Sequence, residues 1–362
     1  MSKEMISTHK FSQIVAGFRI VGCAVRRRDF FYLLLREDFE QWTDYKNEGN
    51  SPGERHLEKR MAAINLTKTD PWGLHRITGF GLSAIGSSTQ PEEKGVMATL
   101  DGQVYATGGG SNGIETDVPR SEDGLRAGGF QRLKTIDGRL YACGGYRSLG
   151  VRLGTNSWRW FSAQFEYPPT IEGSSIVREP AGFEDVDGFS ANDIYLVGGY
   201  GDVWHFDGTR ARRIDFPSDL PLYAVCCGAD GQVYIGGYGG CAFVGRGDSW
   251  HKIKSRPTWL YGVQMVWYDG KVWATNDQGV WWVDKNGIVE AEIPLEARLS
   301  RGHISVNDGV LLLGGSMSVA YLQDGKWTQI YSYRTMMERC RDEGKLDGVM
   351  RARWHEFSKR RR

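Results

Sequence analysis

Self-similarity constrains this chain more than any single motif. The stretch from Leu222 to Ile253 reads as an apolar strand, an Asp230-Gly231 turn and a second strand ending in Gly236-Gly237. A third strand (Cys241 to Val244), a turn at Gly247-Asp248 and a fourth strand opened by Trp250 complete the unit. Short apolar runs joined by Asp-Gly pairs read as hairpins, because both turn positions of the favoured two-residue loop need positive φ. The same order of features returns across 130–161, 189–214, 261–293 and 304–330, and another copy centres on Asp101-Gly102 and Tyr105 to Gly109. Tyr195, Tyr234, Trp273 and Leu312 follow one another at intervals of 39 residues.

A period of about 40 residues with four strands per unit is the signature of a β-propeller blade. Six copies are legible, and a degenerate seventh fits residues 18–78. The sequence therefore predicts an all-β fold of seven four-stranded antiparallel blades over residues 1–331, with six or eight blades as the alternatives. Residues 332–362 read as a basic, partly helical C-terminal tail. Phe11 to Val15 alternates, which would suit an outer strand added to the last blade.

Composition fits this plan. Gly supplies 48 of 362 residues, about twice the usual share of roughly 7%, and each interior helical Gly would cost roughly 1 kcal/mol against Ala. The glycines belong in turns and at the end of the second strand. Trp158, Trp250 and Trp327 open fourth strands and are expected to fill the wedge between blades. With 45 basic and 44 acidic residues there is no global attraction to nucleic acid or an anionic membrane. The N-terminal segment lacks a signal-peptide core and no apolar run is long enough to cross a bilayer, so a soluble, cytoplasmic chain is expected.

Metal and cofactor chemistry find no foothold. The six cysteines (Cys23, Cys143, Cys226, Cys227, Cys241, Cys340) include no Cys-x-x-Cys pair, and most sit in apolar runs, as buried thiols do. The seven histidines are scattered without ligand spacing, and His205 and His251 read as structural residues beside Trp204 and Trp250. Gly108-Gly109-Gly110 is not followed by Gly-Lys-Ser/Thr, so it is no phosphate loop. No cofactor, metal or catalytic constellation is expected.

The repeat resembles that of kelch-type propellers, most closely where Tyr321 and Trp327 follow Gly314-Gly315. Gly247-Asp248-Ser249-Trp250 and Asp324-Gly325-Lys326-Trp327 resemble worn Asp-boxes of sialidase-like propellers. Phe18-Arg19-Ile20-Val21 is a near miss to the sialidase arginine segment, without its proline. This likeness is architectural and specifies a scaffold rather than a reaction.

Hairpin parity sorts the loops onto two rims. One carries minimal turns such as Asp137-Gly138, Asp207-Gly208 and Asp269-Gly270. The other carries the loops after each Gly-Gly and the connections between blades. These offer Tyr146, Arg147, Tyr200, Asp202, Tyr238, Asp277 and Gln278, then Arg256, Trp259, Arg298 and Arg301. Tyr, Trp and Arg dominate interface hot spots, so this rim is the expected partner-binding face. The insertion from Tyr167 to Glu184, with Pro168-Pro169 and Pro180, would emerge on it.

The expected function is non-catalytic protein binding. A stand-alone propeller resembles the bacterial propellers that act as immunity proteins, and this resemblance implies a toxin domain as partner, occluded by the rim. The alternative is a carbohydrate-binding or carbohydrate-active propeller with a sugar or other small-molecule ligand.

Overall fold

The chain is a seven-bladed β-propeller, each blade a four-stranded antiparallel sheet built from consecutive strands. In the computed structural model of the protein, the described residues are 5–38, 53–167, 182–254 and 263–346. After helix α1 (Thr8–Ile14), blade 1 holds β1 (Phe18–Arg27), β2 (Phe30–Glu37), β3 (Lys59–Asn65) and β4 (Trp72–Ile77). Blade 2 holds β5 (Ser83–Ser88), β6 (Lys94–Thr99), β7 (Val104–Gly108) and β8 (Gly113–Ile114). Blade 3 holds β9 (Phe130–Ile136), β10 (Arg139–Gly144), β11 (Ser148–Gly154) and β12 (Ser157–Trp160). Blade 4 holds β13 (Phe183–Ser190), β14 (Asp193–Gly198), β15 (Asp202–Phe206) and β16 (Ala211–Arg213).

Blade 5 holds β17 (Leu222–Cys227), β18 (Val233–Gly237), β19 (Ala242–Arg246) and β20 (Ser249–Lys252). Blade 6 holds β21 (Gln264–Tyr268), β22 (Lys271–Asn276), β23 (Gly279–Asp284) and β24 (Gly287–Glu290). A short helix, α2 (Leu295–Arg298), precedes blade 7. Blade 7 holds β25 (His303–Asn307), β26 (Val310–Gly314), β27 (Ser318–Gln323) and β28 (Lys326–Ser332), and helix α3 (Tyr333–Asp342) follows it. Two compact units carry these blades: residues 83–292 carry blades 2 to 6, and residues 1–82 with 293–362 carry blades 1 and 7.

Turn chemistry sets the register. Asp137, Asp269, Asp308 and Asp324 all have φ between 46° and 49°, and the glycine after each has φ between 71° and 75°. Both central residues are left-handed, the type I′ arrangement that matches strand twist. It pairs Tyr268 with Lys271 and Asn307 with Val310.

Within residues 83–292 the first strands β5, β9, β13, β17 and β21 lie side by side. Their side chains meet in a charged lattice. The backbone N–H groups of Val225 and Cys227 donate to Asp185 and Asp187 at 3.0 and 2.9 Å. Lys134 Nζ lies 3.3 Å from Asp187 and donates to the carbonyls of Val225 and Met265, each at 3.3 Å. One lysine of blade 3 thus ties blades 4, 5 and 6. Burial alone would lower its proton affinity, but Asp187 and Asp185 outweigh burial and hold the ammonium above its ordinary range.

Blades 1 and 7 meet through a different device. Val25 N–H donates to Ser305 Oγ at 2.9 Å, and Asn307 Nδ2 donates to the Arg26 carbonyl at 2.7 Å. Residues 8–14 form a helix and not the added strand that alternation suggested, because Phe11 and Ile14 share one face and Ser7 caps the N-terminus. Phe11 is fully buried, 5.6 and 5.5 Å from the rings of Tyr331 and Tyr333. Tyr333 Oη accepts from Gly17 N–H, and Trp72 Nε1 donates to the Met5 carbonyl at 2.7 Å. The two ends of the chain clasp each other beside the seam.

Blade 2 departs from the expected register. Asp101-Gly102 joins β6 to β7, so Tyr105 lies on the third strand rather than the second. The first strand, Ser83–Ser88, was hidden because it is nearly all small residues. A Cβ on Gly86 would strike the side chains of Leu133 and Leu140, so blade 3 dictates that smallness.

All six cysteines are free thiols and five are buried; burial pushes Cys23 up to about 12. Trp250 is buried against Phe216, whereas Trp158, packed on Phe130 and Trp160, and Trp327 are only half-buried. His205 bonds Asp193 at 2.9 Å, as a structural histidine would, but His251 is exposed on β20.

Two stability measurements test this account. Phe11→Ala should cost about 3–5 kcal/mol by opening a cavity in the terminal clasp, read as a lower urea midpoint. Lys134→Met should cost about 3–5 kcal/mol by stranding buried carboxylates, and adding Asp187→Leu should recover much of that loss.

Candidate functional site

The rim of residues 83–292 is shaped in blades 3, 4 and 5 by a backbone contact at the end of the second strand. Gly144 is extended, with φ 176°, so it is space and not left-handedness that demands glycine there. A Cβ on Gly144 would collide with the Gly129 carbonyl, and one on Gly198 with the Gly182 carbonyl. The obstacle is the chain entering the blade's own first strand, and not the neighbouring blade. Hydrogen bonds lock the approach: Gly145 N–H donates to Gly129 at 3.1 Å, and Tyr238 N–H to Pro221 at 2.8 Å. The loops that follow are therefore projected from fixed backbone.

These loops carry tyrosines. Tyr200 is 57% exposed, Tyr238 42% and Tyr167 50%. Tyr146 has φ 54° and is half-buried, its ring 5.4 Å from that of Tyr167. Asp277 and Gln278 are exposed at the corresponding turn of blade 6. Glu184 and Tyr223, near the starts of β13 and β17, lie close to this group. Burial raises the Glu184 carboxyl against a 3.1 Å bond from Gln131, and burial followed by the charge of Glu184 raises Tyr223.

The arginine and aspartate expected as free rim charges are spent internally. Arg147 and Asp202 are 5% and 2% exposed. Arg147 Nε and Nη2 donate to the two Asp202 oxygens at 2.7 and 2.9 Å, and Nη1 donates to the Glu166 carbonyl at 2.8 Å. Trp204 Nε1 adds a third donor to Asp202 at 3.0 Å. The pair joins blade 3 to blade 4 because the left-handed turn at Tyr146 and Arg147 aims the guanidinium inward.

Sequence reasoning missed Arg126. Its Nε donates to the Glu122 carbonyl at 2.6 Å, Nη1 to Tyr146 at 2.8 Å and Nη2 to Ser162 at 2.7 Å. Its guanidinium stands 4.9 Å from the Tyr167 ring, so it is the base of the Tyr146–Tyr167 platform. Arg126 lies in an irregular stretch between blades, where no period marks it.

Arg256 and Trp259 lie outside the described residues, as does most of the insertion after Tyr167. Arg298 and Arg301 belong to the unit of blades 1 and 7. Arg298 is exposed at the end of α2, and Arg301 is half-buried with Nη1 directed to the Arg298 carbonyl at 3.4 Å. No group of three or more His, Cys, Asp or Glu residues with metal-binding geometry occurs among the described residues. No helix among them is long and apolar enough to cross a membrane.

Sheets and loops of this kind define a β-propeller that projects aromatic side chains from a backbone-locked rim. By sequence the chain belongs to the family of immune protein Tsi7 of Pseudomonas aeruginosa, to which it is 31% identical over 242 residues, 67% of this chain and 77% of that one. No family model matches it. Among solved structures it is similar to the WD40 β-propeller domain of Doa1, with a TM-score of 0.55 and 11% identity over 83% of this chain and 90% of that one. It is also similar to Saccharomyces cerevisiae Sqt1, with a TM-score of 0.51 and 9% identity over 87% and 85%. These two likenesses concern the fold alone.

Asp202→Asn should leave Arg147 buried beside a neutral amide and cost about 3–5 kcal/mol. A thermal melt with an unshifted midpoint would show that the pair contributes nothing.

Proposed function

We propose that this chain is a cytoplasmic immunity protein that binds a cognate toxin through the tyrosine rim of residues 83–292 and occludes it, without itself catalysing a reaction. Membership of the family of an immune protein supports the biological role. The observation that carries the choice of surface is the exposure of Tyr200 and Tyr238 on loops whose preceding strands are pinned to the entering chain. A large side chain held on rigid backbone loses little conformational freedom when a partner covers it. Tyrosine also offers an apolar ring and a hydroxyl together, the combination enriched at hot spots.

Carbohydrate chemistry has no comparable support. The carboxylates of the first strands, Asp185 and Asp187, are occupied by backbone N–H groups and by Arg132 and Lys134. They are braces, not reagents.

The test couples binding to protection. The chain is used to capture its partner from the native host, and that partner is then expressed with and without it. Wild type should relieve the growth arrest. Tyr200→Ala and Tyr238→Ala should each weaken binding by about 2 kcal/mol, roughly 30-fold, as central hot spots do, while leaving the melting temperature unchanged. Equal capture and equal protection by all three proteins would sink the rim assignment.

A further inference from the structure

We propose that a cleft beside the outer strand of blade 7 is a binding site for a small aromatic anion, formed wholly by residues 1–82 and 293–362. The cleft measures about 640 Å³ and lies among the β3–β4 loop, α2 and strands β27 and β28. That volume is within the range of sites that hold drug-sized ligands, roughly 300–1,000 Å³.

Its recess has a sequence cause. Ala297 of α2 and Ala320 of β27 are fully or almost fully buried and line the cleft, so small side chains leave space where larger ones would fill it. Tyr321 and Trp327 stand around that space, both only half-buried. Trp327 is half-buried and borders the cleft, whereas the fourth-strand Trp250 is buried. Two aromatic rings beside an apolar recess favour a flat aromatic body.

Charge selects the ligand further. Lys68 and Lys326 both line the cleft and form no ion pair among the described residues. The nearby acids are committed elsewhere: Asp70 pairs with Lys10 at 2.9 Å and Asp324 with Arg28 at 2.7 Å. Among the described residues Glu296 is the one carboxylate lining the cleft, so their ionised side chains leave a net positive charge. An acidic group on the ligand would meet two ammonium groups against a single carboxylate, and a phenol or amide N–H would suit Glu296. A sulfonate, carboxylate or phosphate attached to an aromatic ring system fits this arrangement.

The probe is anilinonaphthalenesulfonate, compared with its uncharged counterpart phenylnaphthylamine, titrated into the full chain and read by fluorescence excited through tryptophan. The sulfonate should saturate one site and bind about tenfold more tightly than the neutral dye, the effect of one charge-assisted contact. Lys68→Gln with Lys326→Gln, both exposed and safe for folding, should bring the sulfonate to the level of the neutral dye and leave the neutral dye unchanged. Trp327→Leu should weaken both. Absence of saturable binding, or a double lysine variant that binds the sulfonate as tightly as wild type, would overturn the assignment.

Discussion

The close approach of one peptide to another at the end of the second strand is the constraint on which the rim depends. Where Gly144 and Gly198 meet the entering chain, a carbonyl oxygen occupies the position a Cβ would need. No rearrangement of side chains can relieve such a clash, because both partners are backbone. In blades 3, 4 and 5 the contact fixes where the second strand stops and thus the point from which the loop departs. Tyr200 and Tyr238 inherit their positions from it.

Charge is distributed by the same logic. Guanidinium groups that could serve a partner instead hold the platform together, since a planar fork with five donors can satisfy several carbonyls at once. Arg126 uses four carbonyls in this way, and Arg147 uses one carboxylate and one carbonyl. The loop surface is then left to tyrosine, with Asp277 and Gln278 beside it. Specificity would rest on shape and on hydroxyl placement more than on long-range attraction.

Period and turn chemistry made the architecture legible. Asp-Gly pairs located hairpins because so few residues tolerate two consecutive left-handed positions, and intervals of 39 residues counted the blades. The same signals failed where geometry was set by a neighbour. Ser83–Ser88 carries no apolar alternation, and at Gly86 Leu133 and Leu140 leave no room for a side chain. Phe11 to Val15 reads as a strand because a short alternating run fits either period, yet Thr8–Ile14 is a helix. Loop position was readable at the candidate site, but side-chain direction was not: Arg147 and Tyr200 occupy equivalent turns, yet one points in and the other out. That difference comes from the left-handed turn at 146–147 and from Asp202, 55 residues away.

The clasp of α1 on α3 carries a consequence for biogenesis. Blades 2 to 6 occupy one continuous stretch of chain, so each can find its neighbour soon after leaving the ribosome. Phe11 has its cover only when Tyr331 and Tyr333 emerge, more than 300 residues later. At roughly 5–20 residues per second, that interval lasts at least about 15 seconds. Until then Phe11 lacks the two rings that pack on it in the folded chain. The stretch around Tyr331 and Tyr333 therefore decides when Phe11 gains its cover.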